Sequence, residues 1–170
     1  MLSLLALSLA LHGCTTTAPA RPGEAPAPAA PAPADAPPAA TDALAVERQW
    51  LESWFSGTPV LIAQRSDGAL TVDVPREFCF DAGRSNVKPA LGAVLDKVAE
   101  SLRRVPRARL TLVAAPGDGS GDSALAQQRA AQVRAHLTSR GAPSARLSSA
   151  TAAPAAASPA VQLRMELPPR

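Results

Sequence analysis

The chain has 170 residues, 46% of them hydrophobic and 3% aromatic, and its 17 Lys plus Arg against 14 Asp plus Glu leave a formal charge of +3. That excess is small and its Arg residues are dispersed, so the clustered basic stripe of a nucleic-acid binder is missing and no nucleic acid is expected as a partner. Two Cys allow neither a disulfide framework nor a Cys-rich zinc cluster, and neither metal nor cofactor is expected.

The chain opens MLSLLALSLALHGCTTT, and its first thirteen residues carry no Lys, Arg, Asp or Glu. The apolar run is well short of the about 20 residues that cross a hydrocarbon core and has the make-up of a secretory signal. The absence of basic residues ahead of it points to a start further upstream. Leu11, His12, Gly13 and Cys14 resemble the lipobox of bacterial lipoproteins. The resemblance implies residues 1–13 as the signal, cleavage before Cys14 and a diacylglyceryl thioether on it; an apolar leader that meets a Cys by chance is the other reading. Thr15 follows the Cys where an Asp would imply inner-membrane retention in that family, so the expected site is the outer membrane. Acyl chains each stabilise by about 0.8 kcal/mol per buried methylene, which tethers a protein without making it span.

Residues 15–41 are almost wholly Ala and Pro, a composition that buries too little apolar surface to offset chain entropy. Residues 14–41 are therefore read as a lipidated Cys and a disordered spacer, with a reach on the order of 80 Å at roughly 3.1 Å per residue. Residues 42–68 are an expected extension before the main domain. Leu44, Trp50, Leu51, Trp54 and Phe55 fall close to helical spacing after Thr41 or Asp42 as N-cap, and two Trp on one stripe point to core packing. TPVLIAQ, RSDG and ALTVDVP predict a hairpin that turns at Gly68, with Val60, Ile62, Leu70, Val72 and Val74 as apolar positions. Cys79 follows, read as a strand residue whose thiol packs as a small apolar group.

Pro89 suits the first position of a helix, with Leu91, Val94, Leu95, Val98 and Leu102 following at steps of three and four. RARLTLVAA predicts a strand with Leu110, Leu112 and Ala114 on one face. The next helix starts after Asp122 or Ser123 as N-cap, carries Ala126, Ala130, Val133 and Leu137 on one face, and ends at Gly141 with Pro143 beyond. ARLSSA and AVQLRMEL are predicted short strands. Helix, hairpin, helix, strand, helix, strand and strand over about 130 residues predict one α/β or α+β domain with its helices on one sheet face.

Between the strand and the last helix lies AAPGDGSGDS, residues 114–123. A glycine-rich loop there would suit a phosphate, but a dinucleotide fingerprint needs Gly where Asp122 stands, and a carboxylate at a helix N-terminus repels phosphate. No Lys lies near for a Walker loop. His136 sits between Ala135 and Leu137 with no Ser or Cys motif to activate, and reads as a polar residue on a solvated helix face. No paired carboxylates suggest acid and base roles, so no catalytic residue and no enzyme is expected.

FDAGRSNVKPAL, from Phe80 to Leu91, resembles the start of the OmpA-like C-terminal domain, the module of outer-membrane protein A, the peptidoglycan-associated lipoprotein and the flagellar stator protein. LAQQRAAQVRAHLTSRGAPSARL is similar to the family's Leu-Ser-x-x-Arg-Ala-x-x-Val-x-x-x-Leu helix and the Gly and Arg-Leu after it, and QLRMEL to its closing strand, keeping Arg164 and Glu166. The resemblance covers roughly residues 70–167 and implies an α+β sandwich with a βαβαββ core over residues 69–170, helices packed on one mixed sheet. It sets Ala115, Pro116 and Gly117 where the family has Gly, His and Thr, Asp118 on its Asp and Gly121 on a later Gly. About four loop residues before Leu125 are missing, including the usual Asn.

In the family that Asp and the Arg of Arg-Ala bind diaminopimelate of peptidoglycan stems, which carries over to Asp118 for the ammonium and Arg129 for the carboxylate. A zwitterionic end asks for such a pair, an acceptor and a forked donor. A turn former at Asp118 and a solvated helix residue at Arg129 are the plainer readings. The implied function is a lipid-anchored outer-membrane protein that binds peptidoglycan and tethers the membrane to the wall. The alternative keeps the fold, loses the wall site and docks an envelope protein through residues 47–64, where exposed Trp50 and Trp54 would be its sign.

Overall fold

A computed structural model describes residues 40–119, 123–150 and 159–169. The signal, Cys14 and the Pro/Ala segment up to residue 39 lie outside the described residues, as do Gly121 and Asp122. The chain divides into residues 1–36 and a compact unit of residues 37–170, and every described residue belongs to the compact unit.

Its elements are helix α1 (Ala40–Phe55), strands β1 (Leu61–Gln64) and β2 (Leu70–Pro75), helix α2 (Pro89–Arg104), strand β3 (Arg109–Ala114), helix α3 (Ser123–Ser139), and strands β4 (Leu147–Ser149) and β5 (Ala160–Glu166). The sheet order is β1-β2-β5-β3-β4. Every neighbouring pair is antiparallel except β3 with β4. This is the predicted α+β architecture, three helices on a mixed five-stranded sheet.

Alternation explains why one face of the sheet receives the helices. Leu70, Val72 and Val74 of β2, Leu110, Leu112 and Ala114 of β3, and Val161, Leu163 and Met165 of β5 are buried, while the residues between them are half-buried or exposed. Against that face α2 lays Leu91, Val94, Leu95, Val98 and Leu102, and α3 lays Ala126, Val133 and Leu137. Each such side chain stabilises by roughly 1.5–3 kcal/mol when withdrawn from water. Pro89 opens α2 after Lys88 as N-cap. Gly68 turns the hairpin and Gly141 ends α3, both at positive φ, where a Cβ would be strained.

Helix α1 contributes Leu44 and Leu51 to the core and a buried Glu47, whose carboxylate accepts from Arg104 Nε at 3.0 Å and Nη2 at 2.7 Å. The Trp stripe fills the expected core role only in part, since Trp50 packs against the core. Trp50 packs half-buried beneath Arg104, but Trp54 is 55% exposed and lies under Lys97 Nζ at 3.7 Å. The helix is already wound at Ala40, so Thr41 and Asp42 stand inside its first turn and not at its cap.

Cys79 also departs from expectation, because β2 ends at Pro75. A 3-10 turn, Arg76–Phe78, follows, and Cys79 comes after it. Its buried thiol faces the carbonyls of Val74 and Pro75 at 3.3 and 3.2 Å, and burial pushes its pKa up to about 11. Such a thiol is a packing group and a poor nucleophile. His136 is a further correction: it is not a plain solvated residue but bonds Asp96 of α2 through Nε2 at 2.7 Å, beside Arg140, whose Nε is 2.8 Å from the same oxygen.

Candidate functional site

Strand β3 carries the loop of interest at its C-terminal end. Between Leu112 and Ala114 its register against β5 shifts, with Leu112 opposite Leu163 and Ala114 opposite Gln162, so β3 holds one extra residue, Val113. A bulge of this kind bends a strand and re-aims the chain beyond it. Ala115 and Pro116 turn inward and are buried, and Asp118 emerges with its side chain 34% exposed.

A second loop approaches from the other side. Phe80 is buried, and the chain turns through Gly83, whose positive φ suits glycine. The Gly83 N–H donates to Asp118 Oδ2. Lys88 Nζ pairs with Asp81 at 3.3 Å and donates to the Glu77 carbonyl at 3.0 Å, which ties this loop to the start of α2.

Arg129 joins the two loops from α3. It stands one turn after Leu125 and one before Val133, both on the buried stripe, and it is 0% exposed. Its Nε donates to the Arg84 carbonyl at 2.8 Å, Nη1 to the Pro116 carbonyl at 2.7 Å, and Nη2 to the Asp81 carbonyl at 3.0 Å. Nη2 also meets Asp118 Oδ1 at 2.8 Å. The guanidinium lies 4.8 Å from the Phe80 ring centre, within cation–π reach. A buried cation is tolerated where its donors are satisfied and an opposite charge is near.

The structure therefore brings Asp118 and Arg129 into direct contact. Arg129 is not a solvated helix residue, since no part of it reaches water. Asp118 does more than shape its own turn, because its two oxygens accept from residues far away in sequence. The Gly83 N–H first, and then Arg129, hold its carboxyl below the ordinary value of 3.8, so it is ionised at neutral pH. An ionised, partly exposed carboxylate is an acceptor for an ammonium group.

One participant has no place in the sequence motifs. Arg76, exposed at the first position of the 3-10 turn, reaches the Gly117 carbonyl with Nη1 at 3.4 Å. Its only sequence signal is an Arg placed directly after Pro75, within a few residues of the FDAG motif. Elsewhere, a groove of about 340 Å³ lies between Leu44, Gly68, Arg107 and Pro168. Arg109 pairs with Glu166, so that groove is at the opposite end of the sheet from Asp118. Among the described residues no three His, Cys, Asp or Glu gather into a metal site, and no helix is long and apolar enough to cross a membrane.

No family model matches this sequence, and no curated protein matches it either. Solved structures do. A putative MotB-like protein from Desulfovibrio vulgaris is 16% identical, with a TM-score of 0.58 over 76% of this chain and 97% of its own. The periplasmic domain of Helicobacter pylori MotB is 15% identical, with a TM-score of 0.53 over 64% of this chain and 85% of its own. At these identities the likeness is one of fold, and the fold is OmpA-like, as the motifs after Phe80 implied.

Proposed function

We propose that this protein is a lipid-anchored periplasmic binding module that holds peptidoglycan non-covalently, with Cys14 in the outer membrane, a Pro/Ala spacer, and the OmpA-like domain on the cell wall. The observation that carries the reading is the contact between Asp118 and Arg129, the two positions matched to the family's diaminopimelate-binding pair, at 2.8 Å. The H. pylori neighbour is itself a periplasmic domain, which agrees with an envelope setting.

Asp118 receives the ammonium of a stem-peptide diaminopimelate. A carboxylate has about four lone-pair sites, and Gly83 and Arg129 occupy two of them, so acceptor capacity remains on its exposed side. Arg129 fixes that carboxylate in place and keeps it charged. The role is binding, not catalysis.

Sedimentation of the full chain with purified sacculi tests this reading. The parent is expected in the pellet and Asp118→Ala in the supernatant, with both proteins still folded at the assay temperature. For the anchor, Cys14→Ala should move the protein from the membrane fraction to the soluble fraction of lysed cells; retention in the membrane would remove the lipid from the account.

A second reading has one observation in its favour. Trp54 is 55% and Val46 57% exposed on α1, a surface that suits an envelope protein as partner. It would gain force if the parent chain left sacculi untouched.

A further inference from the structure

We propose that Arg76 takes the carboxylate of the bound stem-peptide end, and that Arg129 is a positioning residue which holds the two loops and Asp118; this rests on the protein being a peptidoglycan binder.

A guanidinium offers five N–H donors in a rigid fork, and a carboxylate is held best by two parallel donors on one edge of it. Every nitrogen of Arg129 is already engaged: Nε by Arg84, Nη1 by Pro116, Nη2 by both Asp81 and Asp118. Four of the five donors are thus engaged among the described residues. The side chain is 0% exposed, and a ligand carboxylate that took two parallel donors from it would displace a backbone carbonyl or Asp118. Leaving such a carbonyl without a donor is unfavourable.

Arg76 has the opposite properties. It is exposed, and its one side-chain hydrogen bond among the described residues is Nη1 to the Gly117 carbonyl at 3.4 Å, a long bond. Gly117 directly precedes Asp118, so this bond brings Arg76 to the loop that carries the carboxylate. Its charge also helps hold the Asp118 carboxyl ionised. The backbone beneath it is fixed, with the Arg76 N–H on the Pro159 carbonyl at 2.9 Å. A partly exposed acceptor and an exposed forked donor thus belong to one loop cluster, the pair of groups an α-amino carboxylate needs. Arg84 is exposed too, but among the described residues it is its carbonyl, not its guanidinium, that takes part in the site.

The test uses the full chain in mild detergent with two sacculus preparations, one with free diaminopimelate carboxylates and one with those carboxylates amidated. Arg76→Gln should weaken retention on the free-carboxylate sacculi by about tenfold, a step of roughly 1.4 kcal/mol, without lowering the melting temperature. On amidated sacculi the parent should bind as weakly as Arg76→Gln, and the substitution should change nothing more. Arg76→Lys should restore part of the binding, since a point charge reproduces attraction without the fork. Parent-like binding by Arg76→Gln, with Asp118→Ala still lost, would overturn the assignment and leave the wall reading intact. Absence of parent binding to either preparation would overturn both.

Discussion

Asp118 draws its electrostatics from two directions, the Gly83 N–H and the Arg129 guanidinium, and both favour the ionised carboxylate. Its folded pKa lies below the unfolded value of about 3.8. Such a group stabilises the fold above that value and loses the contribution as pH falls through the folded pKa. Asp118→Asn is therefore expected to melt below the parent at neutral pH, with the difference shrinking as the pH is taken below about 4. Melting curves from pH 7 to pH 2 check this, and a gap constant over that range would contradict it. Asp73 carries the opposite sign, because partial burial raises its pKa. The importance of Asp118 and Arg129 is legible in the motif around each. Their mutual contact is not, because its geometry depends on the Gly83 turn and the Val113 bulge, and neither announces itself in composition.

At the level of elements, Arg129 pins α3 to two loops that the Gly83–Asp118 bond also joins. Removing it as Arg129→Met would leave the carbonyls of Asp81, Arg84 and Pro116 without its donors. Only the Pro116 bond is fully buried, and a buried orphan costs about 1–3 kcal/mol, so an overall loss of that order is expected in denaturant unfolding. A loss under about 1 kcal/mol would mean that water replaces the guanidinium without strain. Burial at position 129 is readable, since it falls four residues from both Leu125 and Val133. A charge on that stripe looks out of place in sequence because its partners are backbone groups 13 to 48 residues away. The helices and strands themselves are legible from their apolar periods. The end of β2 is not: Cys79 and Phe80 look like a continued strand, but the 3-10 turn of Arg76–Phe78 sets them apart from it. The bond of His136 is hidden for a similar reason, since Asp96 lies on another helix.

Across the whole molecule, the sheet has one face covered by helices and one face of half-buried and exposed residues, and the candidate site sits at its edge where β3 ends. Order and class of elements follow from period and punctuation, which are local. The exposure of Trp54 depends on how α1 packs on the rest of the fold, through the Glu47–Arg104 pair, Leu44 and Leu51 among others, and is not local. The site lies on a fold shared with MotB periplasmic domains, and its chemistry is a partly exposed carboxylate held by a buried guanidinium. The most direct measurement is an NMR titration of the protein with a soluble stem peptide containing diaminopimelate, following the backbone amides of Gly83 and Gly117. Saturable shifts at both amides, absent in Asp118→Ala, are the predicted result. Amides that stay in place up to millimolar peptide would contradict a peptidoglycan site at Asp118.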